Sequence, residues 1–232
     1  MKRISIVGIL LLSVLFTNAQ NPIYYLLVGT YTNTGASEGI YVYRFNPNKT
    51  EVTLMSKTTG VENPSYLTVS KDQKFVYCVN ENTGDKGSVS AFALDKAKGE
   101  LHFLNKQSSG GDAPCFINID ATGKNVIAAN YSGGNFSVFK TNADGTLNPF
   151  VQLIAHQGYG VNVERQEMPH PHAAVFSPDQ KYLFVPDLGN DRLYQYHFNA
   201  TDATNPVTES DPPYYEIPDG SGPRQFIFHP NG

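Results

Sequence analysis

The 232-residue chain contains no tryptophan, two cysteines and three methionines, and charged residues make up only 16% of it. Cys78 and Cys115 are too few to staple a disulfide scaffold, and no Cys/His spacing has the pattern of a zinc site. Two buried thiols are expected, with a single disulfide as the alternative. No excess of basic residues is present either. Seventeen Lys and Arg against 21 Asp and Glu leave a net charge of −4, whereas a nucleic-acid binder displays a basic surface. The apolar run Ile4–Phe16 has 13 residues, short of the ~20 that cross a bilayer as a helix. No long segment shows helical periodicity. What the chain does have is 20 Gly, 15 Pro, 14 Phe and 14 Tyr. Turn formers and aromatics in a chain poor in charge point to an all-β protein.

Lys2 and Arg3 precede the Ile4–Phe16 run, and Thr17-Asn18-Ala19-Gln20 follows it. A basic start, a short apolar segment and small residues at a cleavage point are the layout of a secretory signal peptide. Residues 1–19 are therefore expected to be removed after Ala19, leaving 20–232 as one domain in the periplasm or outside the cell, with no stable membrane insertion. No cysteine stands near the cleavage point, so lipidation there is excluded.

Four stretches align without a gap when each starts at a proline: Pro64–Glu81, Pro114–Tyr131, Pro171–Leu188 and Pro223–Gly232. Their starts lie 50, 57 and 52 residues apart, the period of a propeller or a similar repeat array. Each unit runs through the same events. An apolar stretch (Tyr66–Val69, Phe116–Ile119, Ala173–Phe176) meets a turn such as Asp72-Gln-Lys74 or Thr122-Gly-Lys124. A second apolar stretch follows (Phe75–Val79, Val126–Ala129, Tyr182–Val185), then an alternating strand (Ser88–Phe92, Phe136–Phe139, Leu193–Tyr196). A poorer strand at Leu101–Leu104 or Leu147–Val151 closes the unit. Four short strands separated by Gly, Asn and Asp turns read as one antiparallel propeller blade. Tyr25–Thr30 and Gly39–Tyr43 match the second and third strands of a unit, so the chain enters the pattern at strand two and leaves it at strand one. Arithmetic alone permits a closed four-bladed ring or part of a larger one.

His170-Pro-His172 with Phe176-Ser-Pro-Asp179, Tyr182–Gly189 and Asp191-Arg192 resembles the lactonase family of seven-bladed propellers. So do Gly220-Ser-Gly-Pro-Arg-Gln225, Phe228–Gly232, Val28-Gly-Thr-Tyr31 and Asn80-Glu-Asn82. The family includes the propeller-type 6-phosphogluconolactonases and the fungal carboxy-cis,cis-muconate lactonizing enzyme. The resemblance covers the whole chain after the leader and implies an all-β propeller of four-stranded antiparallel blades, about four of the seven being present. It implies ring-opening of a sugar lactone without metal or cofactor, the partner being a small lactone. A muconolactone-type cycloisomerase and a non-catalytic binding platform are the alternative readings. Family members commonly carry Gly-Pro-Arg-His, where this chain has Gln225 in the His place. An exported protein is also an uneasy match for a phosphorylated intracellular lactone, so an unphosphorylated sugar lactone is the alternative substrate.

The second position of the four aligned stretches holds Ser65, Cys115, His172 and Arg224. Superposed as blades, these side chains face one central channel, with chemistry concentrated in one arc. Lactone hydrolysis needs a proton acceptor for water and positive charge where the oxyanion forms. A histidine titrating near ~6.5 suits the first task, and a permanently charged guanidinium suits the second. His172 is thus the candidate base or acid, and Arg224 the candidate for stabilising developing charge or holding an acidic group. By resemblance these two correspond to the lactonizing enzyme's proposed His and first Arg, whose proposed Glu and second Arg correspond to positions beyond Gly232. On that reading the present chain is expected to be inactive or crippled by itself. Candidate substrate contacts are His170, Glu81, Asn130, Asp187, Arg192 and Gln225. For His170 the alternative is a hydrogen bond within its own loop. For Asp187 and Arg192 it is a mutual ion pair, and for Glu81 a solvated carboxylate. Tyr131 stands beside Asn130 as a further hydrogen-bonding group for a sugar. His102, His156 and His197 read as outer-strand or loop residues without a role. Ser65, Ser132 and Ser177 lack the strand–turn–helix setting of a nucleophilic serine.

Overall fold

A computed structural model describes residues 24–231; the expected signal peptide lies outside them. Among the described residues there are fifteen strands and no helix. The first sheet has three strands, β1 (Tyr24–Val28), β2 (Gly39–Asn46) and β3 (Glu51–Thr59). The second comprises β4 (Leu67–Val69), β5 (Phe75–Asn80), β6 (Ser88–Asp95) and β7 (Glu100–Ser108). β8 (Pro114–Ile119), β9 (Asn125–Asn130), β10 (Asn135–Thr141) and β11 (Leu147–Ala155) make the third. The fourth is β12 (Val175–Phe176), β13 (Tyr182–Asp187), β14 (Arg192–Phe198) and β15 (Val207–Glu216). Every sheet is an antiparallel meander in chain order, as the repeat predicts, and the first begins at the second strand of its unit.

The repeat recurs in detail. In the β4–β5 turn Ser70 Oγ donates to Asp72 Oδ1 (2.7 Å) and accepts from Phe75 N (3.0 Å). In the β12–β13 turn Ser177 Oγ donates to Asp179 Oδ1 (2.6 Å) and accepts from Tyr182 N (3.0 Å). The β8–β9 turn reverses the roles: Thr122 Oγ1 donates to Asp120 Oδ2 (2.5 Å), and Asp120 Oδ1 accepts from Asn125 N (2.8 Å). Equivalent residues Gln73, Gly123 and Gln180 all take positive φ, at 57°, 72° and 59°. Each pairing of third and fourth strands carries a register shift near its middle, which deepens the twist of the outer strand.

Period-two alternation then builds the core between sheets. Val76 and Cys78 of β5 pack with Ile40 and Val42 of the first sheet, whereas Tyr77 and Val79 pack with Ile117, Val126 and Ala128 of the third. Central strands such as β9 are buried on both faces. A third apolar layer joins Ile127, Ala129 and Phe136 to Leu183, Val185 and Tyr196. Tyr24 and Leu26, on the face of β1 turned away from the second sheet, are exposed. Four-bladed closure through the C-terminal stretch does not occur here. Residues 223–231 form no strand, and among the described residues β1 is paired only with β2. Instead Phe226 and Phe228 set their ring edges against Phe184. Both cysteines are free, as expected.

Candidate active site

Ser65, Cys115 and His172 lie at or just before the starts of the inner strands β4, β8 and β12, and Arg224 lies in the C-terminal stretch that forms no strand. Ser65 hydroxyl donates to the Glu81 carboxylate, which also accepts from Tyr31 Oη (2.8 Å). Ser65 and Glu81 are the first-strand and second-strand ends of one blade, so the repeat itself brings them together. Burial first, then the hydrogen bond to Glu81, pushes the Tyr31 phenol up to about 12. In the next blade Cys115 Sγ lies 3.7 Å from the His172 carbonyl oxygen. Burial, then the Glu81 charge, raises this thiol to about 12, while Arg224 acts against the rise. The Cys115 sulfur thus lies in the field of both the acidic and the basic side of the cleft. It is a protonated wall residue rather than a nucleophile.

Arg224 donates from Nε to His172 Nε2 at 3.0 Å. His172 is buried, and its Nδ1 has no hydrogen-bond partner among the described residues. Desolvation lowers its pKa, and the Arg224 charge lowers it further. An imidazole that accepts from a guanidinium through Nε2 is neutral and carries its proton on Nδ1. The expected base and the expected charge stabiliser therefore meet, although 52 residues separate them in the chain.

The loops that place this pair are held by two buried aspartates. Asp191, 4% exposed with φ 54°, accepts from Gly220 N and Gly222 N at 2.7 Å each. It thereby holds the segment that leads into Arg224. Asp187, fully buried, accepts from His170 N (2.6 Å) and Gly189 N (2.9 Å), and its Oδ2 lies 2.6 Å from His156 Nδ1. His156 Nε2 in turn meets Tyr196 Oη at 3.0 Å. Gly189 has to be glycine: a Cβ there would lie 1.8 Å from the Met168 carbonyl oxygen.

Several sequence expectations need correction. Asp187 does not pair with Arg192 and is too deep to touch a substrate. Its negative charge faces His156, and the Arg192 guanidinium lies 4.1 Å over the Tyr214 ring. The two are cross-strand neighbours with side chains directed to different partners. Asn130 is fully buried and donates to Ser109 O (3.1 Å) and Asn135 Oδ1 (2.6 Å), so it braces a loop and presents nothing to the cleft. His170 takes its alternative role: Nδ1 meets Tyr131 O at 2.9 Å, Nε2 meets Glu167 at 3.3 Å, and the ring stacks on Tyr131 at 4.3 Å. His156, read as a residue without a role, is buried in the network that supports this loop. His102 and His197 are exposed as expected. Gln225 is exposed and lines a cleft of about 430 Å³ with Tyr66, Phe116, Ala173 and Phe226. Glu81 is half-buried and held by Ser65 and Tyr31. Tyr131, expected as a further hydrogen-bonding group for a sugar, makes an edge contact with the His172 ring at 5.6 Å.

Comparison with known proteins agrees with this architecture. Residues 25–232 match the family described as lactonase, 7-bladed beta-propeller. The chain is 38% identical over 203 residues to a 6-phosphogluconolactonase of Bacillus subtilis strain 168, covering 88% of this chain and 56% of the relative. A Bacteroides fragilis structure, provisionally assigned as a 6-phosphogluconolactonase, superposes with TM-score 0.85 at 45% identity, over 90% of this chain and 58% of that one. A periplasmic gluconolactonase of Pseudomonas aeruginosa gives TM-score 0.83 at 38% identity, over 91% and 60%. The chain thus spans a little over half the length of the relatives it matches.

Proposed function

The chain belongs to the lactonase family of seven-bladed β-propellers, and from that premise we propose that its His172–Arg224 pair serves a site that hydrolyses a sugar lactone. One observation carries the reading: a neutral, buried imidazole hydrogen-bonded to a guanidinium that forms no ion pair among the described residues. Named relatives that are 6-phosphogluconolactonases or gluconolactonases support the choice of a sugar lactone.

The contact at 3.0 Å supports the following order of events. Free of substrate, Arg224 occupies the Nε2 lone pair. A lactone carbonyl draws the guanidinium toward its oxygen, which frees Nε2 to accept a proton from water. The water oxygen bonds to the carbonyl carbon as that proton passes to His172, and the carbonyl π electrons become an oxyanion held by Arg224. Collapse of the oxyanion breaks the ring C–O bond, and the departing alkoxide takes the proton from imidazolium His172. The products are the open-chain acid and regenerated neutral histidine.

His172→Ala in the full-length protein is expected to abolish proton release from gluconolactone and its 6-phosphate at neutral pH. Unchanged turnover would remove His172 from the mechanism. Lactone binding without turnover by the unaltered protein would make the propeller a binding platform. Export, with cleavage after Ala19, is proposed from the leader's layout and is supported by the periplasmic relative. N-terminal sequencing of the mature protein tests it.

A further inference from the structure

The main chain of His172 is tied down, whereas its ring is held at one atom. His172 N donates to Pro186 O at 3.0 Å, and the His172 carbonyl oxygen lies 3.7 Å from Cys115 Sγ. The buried ring has one hydrogen bond among the described residues, at Nε2 from Arg224, and Nδ1 meets no partner there. In the Ser-His-Asp arrangement a carboxylate on the second nitrogen holds the base in line. His172 has no such carboxylate. Asp187 faces His156, Glu81 is taken by Ser65 and Tyr31, and Glu167 lies on His170. Once Arg224 turns to a lactone oxygen, no hydrogen bond orients the ring.

The ring does have an aromatic neighbour. Tyr131 and His172 meet edge to face, with centroids 5.6 Å apart and planes at 80°. Tyr131 follows β9 and is tied at four places. Its N donates to Ala113 O (3.0 Å), and its carbonyl oxygen accepts from His170 Nδ1 (2.9 Å). Its ring stacks on the His170 ring (4.3 Å, 11°), and its hydroxyl accepts from Arg165 Nη2 (3.3 Å). His170 supplies two of those ties. It is itself 4% exposed, with its N on Asp187 Oδ1 (2.6 Å) and its Nε2 facing Glu167 (3.3 Å). The Tyr131 carbonyl can only accept, so His170 carries a proton on Nδ1 and directs it there. An edge-to-face aromatic pair has a preferred geometry, so a fixed tyrosine ring limits rotation of the imidazole beside it. The two histidines of His170-Pro-His172 thus meet on one tyrosine: the first clamps it and the second leans on it.

We propose that Tyr131, clamped by His170, is the positioning residue that keeps the His172 imidazole aimed at water while Arg224 serves the substrate. Packing does here what a carboxylate does for other histidine bases. The inference rests on the lactonase reading and adds to it the two residues that orient the base.

The test measures kcat and KM for gluconolactone in the full-length protein. Tyr131→Leu removes the ring edge and should lower kcat by about tenfold to a hundredfold, the scale of a misaligned catalytic group, with KM within about twofold. Tyr131→Phe restores the edge without the hydroxyl and should recover most of that loss. His170→Ala frees the tyrosine and should lower kcat in the same way. Adding it to Tyr131→Leu should cost little more, since both act through one ring. A KM that rises equally in Tyr131→Phe and Tyr131→Leu makes the hydroxyl a substrate contact and overturns the proposal, as do unchanged kcat values. If Tyr131→Leu does not fold, Tyr131→Met, which fills the volume with an unbranched chain, takes its place. A second measurement, carbon-13 relaxation of the His172 ring by NMR, needs no turnover. The ring should stay ordered in Arg224→Gln and become mobile when Tyr131→Leu is added. Ring motion in Arg224→Gln alone, or an ordered ring in both, overturns the positioning role. The expected pattern in a protein that opens no lactone upholds that role and fails only the lactonase reading.

Discussion

Arg224 spends its Nε–H on the Nε2 lone pair of His172, the atom that would have to accept a proton from water. The contact holds the histidine neutral and links its protonation to the position of the arginine. Because burial and the Arg224 charge both lower the His172 pKa, the imidazole should stay neutral below its ordinary value of ~6.5. NMR titration of the His172 ring should give a midpoint below that value, moving up in Arg224→Gln. A midpoint unaffected by that substitution would mean the contact has no electrostatic consequence.

The same shift has a sign for stability. The unfolded chain takes up a proton near ~6.5 that the folded His172 refuses. The stabilisation is therefore present above that pH and is lost as pH falls toward the folded pKa. His172→Phe should flatten this part of the pH dependence in urea denaturation, measured between pH 7 and 5.

Asp191→Ala would leave the N–H groups of Gly220 and Gly222 without their acceptor, at about 1–3 kcal/mol for each group that finds no other partner. Thermal unfolding should fall accordingly, and turnover should drop further than stability explains, because this loop delivers Arg224. Asp191→Asn keeps one acceptor oxygen and tolerates the φ of 54°, so it should be milder. Identical melting and turnover in Asp191→Ala would refute the anchoring role.

The buried Asp187 serves three donors, His156 Nδ1 and the main-chain N–H groups of His170 and Gly189. Its replacement by Ala should cost at least about 3 kcal/mol, since none of the three has water to turn to. Arg192→Gln, by contrast, should leave that loss absent, because the Asp187 network does not include it. Chemical denaturation of the two variants separates these outcomes.

Gly189→Ala puts a methyl group 1.8 Å from the Met168 carbonyl oxygen and 2.8 Å from His170 N. The His170–His172 segment would have to move. Melting temperature and lactone turnover should therefore fall together, and a variant with normal values of both would show that the segment has slack.

The readable part of this protein was whatever recurs. Gln73, Gly123 and Gln180 share a backbone conformation because three turns solve the same local problem, and the gapless alignment of their prolines marks them. Ser65, Cys115, His172 and Arg224 were found as a set in the same way. His156 lies outside the aligned stretches and Asp187 stands where the other units have Asn80 and Asn130, and nothing in their flanking residues shows that one carboxylate will meet an imidazole 31 positions away. Asn130 misled for a related reason. It occupies a strand end that faces the channel in outline, but its amide turned inward to Ser109 and Asn135. Arg192 sits opposite Asp187 in register, yet the aromatic face of Tyr214 captured it.

By itself, then, the order of residues determined the strands, the blades and the choice of His172 and Arg224, which meet in the fold, because turn chemistry and alternation are local and repeat. Only the folded chain decided which buried carboxylate holds which loop, and that the Tyr131 ring packs beside His172. Those contacts are made between units, where the choice among competing partners depends on distances that no single unit contains.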